Sequence, residues 1–303
     1  KVAFKMLLTE QCAETVIQEI EWNPSAQGFL IPRIRIEPVV VGTARIEYVT
    51  GHNARFVVDN KLGIGARIVI RRSGDVIPAV QRVILPCTQP LMPTQYKWKW
   101  QNNDTTSAHI VLDEDVATKE VLAARLVIFA KTLDIAGLGP GVAVKLVDAG
   151  LDTLVKVWKA SGETLAKVIG KGNGAKITEQ LSILKPTESQ LMVSSCLLPR
   201  GIGELKLKTL FESEPDTRKW KALPVLAGWS ADTLDELKTS MGPYETWRRT
   251  ELTQFPYPIL PSSVSKEVKP LKGTICFTGV RSKELEALLE SAGWKIVDTC
   301  LLY

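Results

Sequence analysis

A Gly-x-Gly step recurs three times in the second half of this 303-residue chain, at Gly137-Leu138-Gly139, Gly170-Lys171-Gly172 and Gly201-Ile202-Gly203. The copies are almost evenly spaced, and each lies between apolar stretches of helical periodicity, the signature of a repeated unit. A weaker fourth copy, Leu226-Ala227-Gly228, follows. A helix, a tight turn with glycine at two positions and a second helix make a helix-hairpin-helix. Glycine takes positive φ without strain and lets the backbone approach a ligand closely. The amides that open the second helix are unpaired and sit at the positive end of its dipole, so a DNA phosphate fits there. Such a contact is independent of base sequence. Lys145, Lys171, Arg200 and Lys206 lie close enough in sequence to add charge. Glycine is also a common helix terminator, but three copies at near-equal spacing make C-capping alone the weaker reading.

The rest of the chain reads differently. In the first ninety residues, Pro32 to Pro38 and Arg67-Ile68-Val69-Ile70-Arg71 alternate polar and apolar at period two. Short β-rich runs divided by Gly, Pro and Asn suggest a small barrel. Residues 88–110, with Tyr96-Lys97-Trp98-Lys99-Trp100 running into a polar stretch, read as an irregular connector with one or two strands. From about 116 to 250 the pattern is helical, with Val121, Leu122, Leu126 and Phe129 as one apolar stripe. Residues 254–270 form a Pro/Ser-rich linker. After it Gly273 to Gly279 reads as a strand entering a turn, Ser282 to Ala292 as a helix and Trp294 to Val297 as a second strand.

Composition narrows the function classes. With 45% apolar and 23% charged residues the chain is neither disordered nor collagen-like. No apolar run approaches the roughly 20 residues that span a bilayer, so no membrane partner is expected. A net charge of +5 permits nucleic-acid binding without establishing it. Five scattered cysteines without a CxxC pair, and only two histidines, argue against a disulfide framework and a local metal centre. They suit an intracellular, reducing compartment such as cytoplasm or nucleoid. The chain opens on an apolar-basic run without Met or signal peptide, which reads as a piece of something longer.

A second motif joins His52-Asn53, Ile64-Gly65 and Arg71-Arg72-Ser73-Gly74-Asp75-Val76-Ile77-Pro78. An arginine pair on a barrel rim can clamp phosphates through its guanidinium forks. Val76 and Ile77 either press into a minor groove from a turn or begin the next buried strand, which composition alone favours.

These residues resemble the oligonucleotide-binding (OB) barrel of the NAD-dependent DNA ligases. Val2-Ala3-Phe4-Lys5 resembles that family's last nucleotidyltransferase motif, and Glu21-Trp22 and Ile36-Glu37-Pro38 fall in register between the two. The glycine turns are similar to its helix-hairpin-helix domain. Pro270-Leu271-Lys272-Gly273, Phe277-Thr278-Gly279 and Gly293-Trp294 resemble the start of its BRCT domain. The likeness covers almost the whole chain in the family's order, most specifically in the barrel.

The resemblance implies a multidomain α+β chain: a nucleotidyltransferase tail at 1–10, an OB-fold barrel at 11–87, a connector at 88–115, an all-α helix-hairpin-helix array at 116–253, a linker at 254–269 and a partial α/β BRCT domain at 270–303. Lys5 would contact the adenylate phosphate. Arg71, Arg72, Val76 and Ile77 would face DNA, as would Gly137, Gly139, Gly170, Lys171, Gly172, Gly201 and Gly203. The parent enzyme would use NAD and Mg to seal nicked double-stranded DNA through a lysyl-adenylate whose nucleophile lies upstream of Lys1, and this segment alone would be inactive. A protein partner would bind through the BRCT domain. The other reading is a non-catalytic scaffold that binds nicked or bent DNA.

Two departures stand out. The family's zinc finger would start near Tyr96 and Lys99, where no cysteine pair exists, so no zinc is expected and packing of Tyr96, Trp98 and Trp100 would replace it. Where the family has Arg-Thr-Gly, this chain has Ala26-Gln27-Gly28.

Overall fold

The structure, a computed structural model, describes residues 12–42, 44–72, 78–113, 117–254, 273–276 and, near the end, 285, 286, 288, 289, 292 and 294–297. Five strands close a barrel in the order β1-β2-β3-β5-β4: β1 (Cys12–Pro24), β2 (Leu30–Val41), β3 (Ala44–Thr50), β4 (Arg67–Arg71) and β5 (Ala79–Leu85). One long strand makes the closure possible. The first half of β1 pairs with β4 and the second half with β2, and the register shifts between Ile17 and Glu19 where it passes from one partner to the other. Such a bulge bends a strand and increases its twist, which a small barrel needs.

The period-two pattern sets the barrel interior. Ile34 and Ile36 of β2 and Ile68 and Ile70 of β4 are fully buried in one cluster. The alternation is incomplete in β4, because Val69 on the opposite face is also buried. Helix α1 (Ala54–Asp59) packs Ala54 and Val57 into the same cluster. Asn53 caps it, accepting from Phe56 N–H at 2.8 Å, and His52 lies edge-on to the Phe56 ring. His52-Asn53 thus has a structural task in the barrel.

The connector is a hairpin, β6 (Trp98–Trp100) against β7 (Ile110–Leu112). It is built into the barrel. Ile110 is fully buried in the barrel cluster, Leu112 N–H donates to the Gly28 carbonyl and Arg55 N–H to the Ala108 carbonyl. Trp98 and Trp100 meet edge to face, the Arg55 guanidinium lies 4.4 Å over the Trp100 ring, and Tyr96, Trp98 and Trp100 pack on the barrel cluster.

Nine α-helices lie within the described residues 12–254, and among these α1 belongs to the barrel. The rest are α2 (Lys119–Thr132), α3 (Pro140–Asp148), α4 (Leu154–Lys159), α5 (Gly162–Ile169), α6 (Lys171–Ile183), α7 (Glu188–Ser194), α8 (Glu204–Ser213) and α9 (Ala231–Glu251). They bury two clusters. Phe129, Leu146, Val157, Leu165 and Ile177 centre the first, and Met192, Leu207, Phe211, Trp220 and Tyr244 the second. Trp247 of α9 packs against both. Glu188, at the start of α7, accepts from the Tyr244 hydroxyl at 2.7 Å and pairs with Arg248, tying α7 to α9. Burial, then Glu188, holds the Tyr244 hydroxyl well above the usual tyrosine range.

Near the chain's end β8 (Gly273–Cys276) pairs in parallel with β9 (Trp294–Val297), and Leu285, Glu286, Leu288 and Leu289 between them are helical. No helix among the described residues is long and apolar enough to cross a membrane.

Candidate nucleic-acid interface

Helix starts among the described residues are of two kinds. A side chain caps α1 (Asn53), α2 (Thr118), α4 (Thr153), α5 (Ser161), α7 (Thr187) and α9 (Ser230), each accepting from an amide of the first turn. Three helices of the nine have no side-chain cap: α3, α6 and α8, with Gly139, Gly170 and Gly203 at their starts. Those are the three glycine turns. The first-turn amides of a helix lack intrahelical partners, and with no Ser, Thr or Asn oxygen on them those of α6 and α8 stay available to an outside acceptor. In contrast, α3 opens on Pro140, which has no N–H, and its Val142 N–H donates to the Gly139 carbonyl at 3.1 Å, so there the open amide is that of Gly141.

The first and third turns share one geometry. Gly137 (φ 95°) and Gly201 (φ 81°) reverse the chain in the left-handed region, and two residues later Gly139 and Gly203, extended, open the helix. The buried side chains of Leu138 and Ile202 stand between the two glycines and anchor each turn to its core. The second turn differs from the expected pattern. Gly170 (φ 87°) both reverses the chain and opens α6, so Gly172 is the second residue of the helix and no part of the turn. The cause is packing: a Cβ on Gly174 would stand 2.6 Å from the Ala166 nitrogen. That close approach of α6 to α5 fixes the register. The fourth copy departs further, because Gly228 (φ 81°) is followed by Trp229 and Ser230, and Ser230 caps α9.

The basic residues near the turns also separate. Lys171 is the first residue of α6, exposed at the open amides. Lys145 lies in the last turn of α3, away from its open start. Lys206 sits 5.2 Å over the Trp229 ring. Arg200 turns to the barrel, with Nη1 3.0 Å from His109 Nε2 and its guanidinium 5.1 Å over the Phe29 ring. Of the four, Lys171 stands at an open helix start, while Lys206 and Arg200 lie over rings and Lys145 lies at the far end of its helix.

In the barrel, Arg71 is the last residue of β4, paired with Cys12 and Ala79, and its Nε is buried with no hydrogen bond. Arg72 leaves the strand beside it. Lys5, Val76 and Ile77 lie outside the described residues, as do Pro270 to Lys272 and Phe277 to Gly279. The described residues hold no group of three or more His, Cys, Asp or Glu side chains able to share a metal ion.

Sequence reading missed a junction where barrel and helices meet. Arg125 of α2 donates to the Ala26 carbonyl at 3.0 Å, and Arg200 reaches His109 and Phe29. The turn at Ala26-Gln27-Gly28 is thus a seat for α2 and β7. Burial and then the Arg200 charge hold His109 below its ordinary value of 6.5, so the neutral ring is favoured and can accept from Arg200. Cys196, buried near Arg125, is pushed up to about 11 by desolvation and stays a thiol at neutral pH. No local motif marks this junction, because its partners lie far apart in sequence.

Comparison with known proteins covers both regions. Residues 14–89 match the family model described as the NAD-dependent DNA ligase OB-fold domain. A DNA ligase of Acanthamoeba polyphaga mimivirus is 29% identical over 93% of this chain and 46% of its own length. A DNA ligase of Cellvibrio japonicus is 28% identical over 69% of the chain and 32% of its own length. One from Brachyspira hyodysenteriae is 42% identical over 28% of the chain and 12% of its own length. The chain spans less than half the length of these relatives.

Proposed function

We infer that this chain, whose barrel belongs to the OB-fold domain family of the NAD-dependent DNA ligases, is the part of such an enzyme that holds duplex DNA around a nick. The observation that carries the reading is the set of three helix starts without side-chain caps, all at glycine turns. Open amides at the positive end of a helix dipole suit phosphate oxygens and ignore base identity. On this reading residues 116–253 are a helix-hairpin-helix array with Gly137, Gly139, Gly170, Lys171, Gly201 and Gly203 along the backbone of the duplex. Gly172, one residue into α6, lies beside that path. The barrel adds Arg71 and Arg72, whose guanidinium groups suit phosphate geometry. Val76 and Ile77 would press on the minor groove between them. The parallel β8–β9 pair with helical residues between supports reading 270–303 as the start of a BRCT domain.

The parent enzyme would draw AMP from NAD and use magnesium to neutralise phosphate charge. Lys5, the residue that the resemblance sets against the adenylate, lies outside the described residues, and these hold no metal-binding cluster. What this chain's residues do is bind and orient the duplex.

The test is fluorescence anisotropy of the full chain on a labelled nicked duplex at stepped salt concentrations. Each neutralised phosphate contributes about 0.9 to the slope of log affinity against log salt. A slope of several units, unchanged when the base sequence is scrambled, is expected. A flat salt response, or binding lost on scrambling, contradicts the reading.

A further inference from the structure

The first and second glycine turns are joined by side chains that neither turn's own conformation requires. Gln180 of α6 closes a ring of two hydrogen bonds on one backbone unit of the first turn. Ala136 N–H donates to Gln180 Oε1 at 2.7 Å, and Gln180 Nε2 donates to the Ala136 carbonyl at 2.9 Å. The same Nε2 donates to the Lys176 carbonyl at 3.0 Å. This fixes the amide's orientation, since the flipped group would set donor against donor and acceptor against acceptor. Two helical turns earlier on α6, Asn173 Nδ2 donates to the Gly137 carbonyl at 3.1 Å. Its Oδ1 fills the space beside Gly137, where a Cβ would stand 2.4 Å away. Gly137 is held to glycine by its φ of 95°, and a side chain there would also push the Asn173 amide out of its place. The helix that carries both side chains is itself seated backbone to backbone on α5 through Gly174.

We propose that Asn173 and Gln180 are positioning residues that lock the first two glycine turns into one preformed seat for two phosphates of a DNA strand. The proposal rests on the reading of these turns as phosphate sites. Neither side chain needs to touch DNA. Both act through the Ala136–Gly137 backbone, holding the open starts of α3 and α6 at a fixed separation before the duplex arrives. Once one phosphate binds, the second contact is intramolecular. The ordering that two loose turns would undergo on binding is already complete in the fold.

The test is the double variant Gln180→Leu, Asn173→Ala of the full chain, read by anisotropy on a labelled nicked duplex, amide exchange and thermal melting. The expected result has three parts. Exchange at Ala136 accelerates, affinity falls about tenfold at every salt concentration as preorganisation is lost, and the salt slope stays that of the wild type because the phosphates are still contacted. Lys171→Ala serves as the contrast, since loss of one charge contact lowers the slope by about 0.9. Gln180→Met, close in size and apolar, should repeat the exchange and affinity changes in weaker form, which guards against misfolding of the double variant. Wild-type affinity in a double variant with accelerated exchange overturns the proposal. So does unchanged exchange at Ala136, or an affinity loss that vanishes once both chains are compared equally far below their melting temperatures. If the wild type itself does not bind the duplex, the phosphate reading falls and this proposal with it; binding by wild type and double variant alike sinks this proposal alone.

Discussion

In the barrel the candidate phosphate ligands are side chains, Arg71 and Arg72 at the end of one strand. In the helical array they are backbone amides, exposed because glycine stands where six other helices carry a capping oxygen. The two regions also keep separate cores, one cluster inside the barrel and two among the helices. Their polar contacts meet at Arg125 with Ala26 and Arg200 with His109. The difference teaches what each region tolerates. A barrel that binds through side chains loses function by truncation, with little effect on its fold. An array that binds through backbone loses function when a methyl group is added.

The largest expected effect breaks one region and spares the other. In Gly174→Val the new side chain meets Ala166 backbone that cannot step aside. It should cost about 3 kcal/mol or more of stability in the array, as overpacking against rigid structure does. Segment-resolved hydrogen exchange should lose protection across α5 and α6 while β1 to β5 keep theirs. Equal loss in the barrel would show that the two regions fold as one unit.

Next comes the barrel's dependence on side chains. Arg71→Ala and Arg72→Ala should each weaken duplex binding by about 1–3 kcal/mol, the range for charge-assisted hydrogen bonds. Melting temperatures should change little, since both residues lie at or past the end of β4. A large fall in melting temperature with unchanged affinity would make the pair structural.

The smallest effect concerns the junction. His109 is held below its ordinary value in the fold, so the folded state favours the neutral ring. Its contribution is fully present above 6.5, the unfolded value, and is lost as pH falls through the lowered folded value. Protonation removes the acceptor for Arg200 and sets two cations together. Exchange near Pro199 and Arg200 should therefore quicken modestly on acidification, and His109→Gln, which keeps an acceptor that does not titrate, should remove that dependence. An identical pH profile in the variant would remove His109 from the junction's electrostatics.

Much of the barrel was legible because a half-buried strand prints its inward face at every second residue, as Ile34 with Ile36 and Ile68 with Ile70 do. The bulge at Ile17 to Glu19 was not, since it reflects which partner each half of β1 meets. The first and third turns were legible because each sets a glycine at the left-handed reversal, Gly137 or Gly201, and another two residues later at the helix start. The second misled because Gly170, Gly172 and Gly174 offer several registers, and only the contact of Gly174 with Ala166 selects one. Arg200 reads from its neighbours in sequence as charge added to the third turn, and its contacts with Phe29 and His109 were not legible because those partners are distant and leave no local trace. The same holds for Gln180 and Ala136.

The central claim is that the uncapped helix starts serve a ligand and not the fold. Gly139 (φ −89°) and Gly203 (φ −106°) have conformations open to any residue, and a Cβ at either meets nothing within 4 Å. The fold therefore has no need of glycine at these two positions. The double variant Gly139→Ala, Gly203→Ala should melt within about 1 kcal/mol of wild-type stability, as unstrained exposed substitutions do. Its affinity for a nicked duplex should fall about tenfold or more, ~1.4 kcal/mol, because the methyl groups stand between the amides and the phosphates. Wild-type affinity in that variant would contradict the account and return the glycine turns to the role of chain reversals.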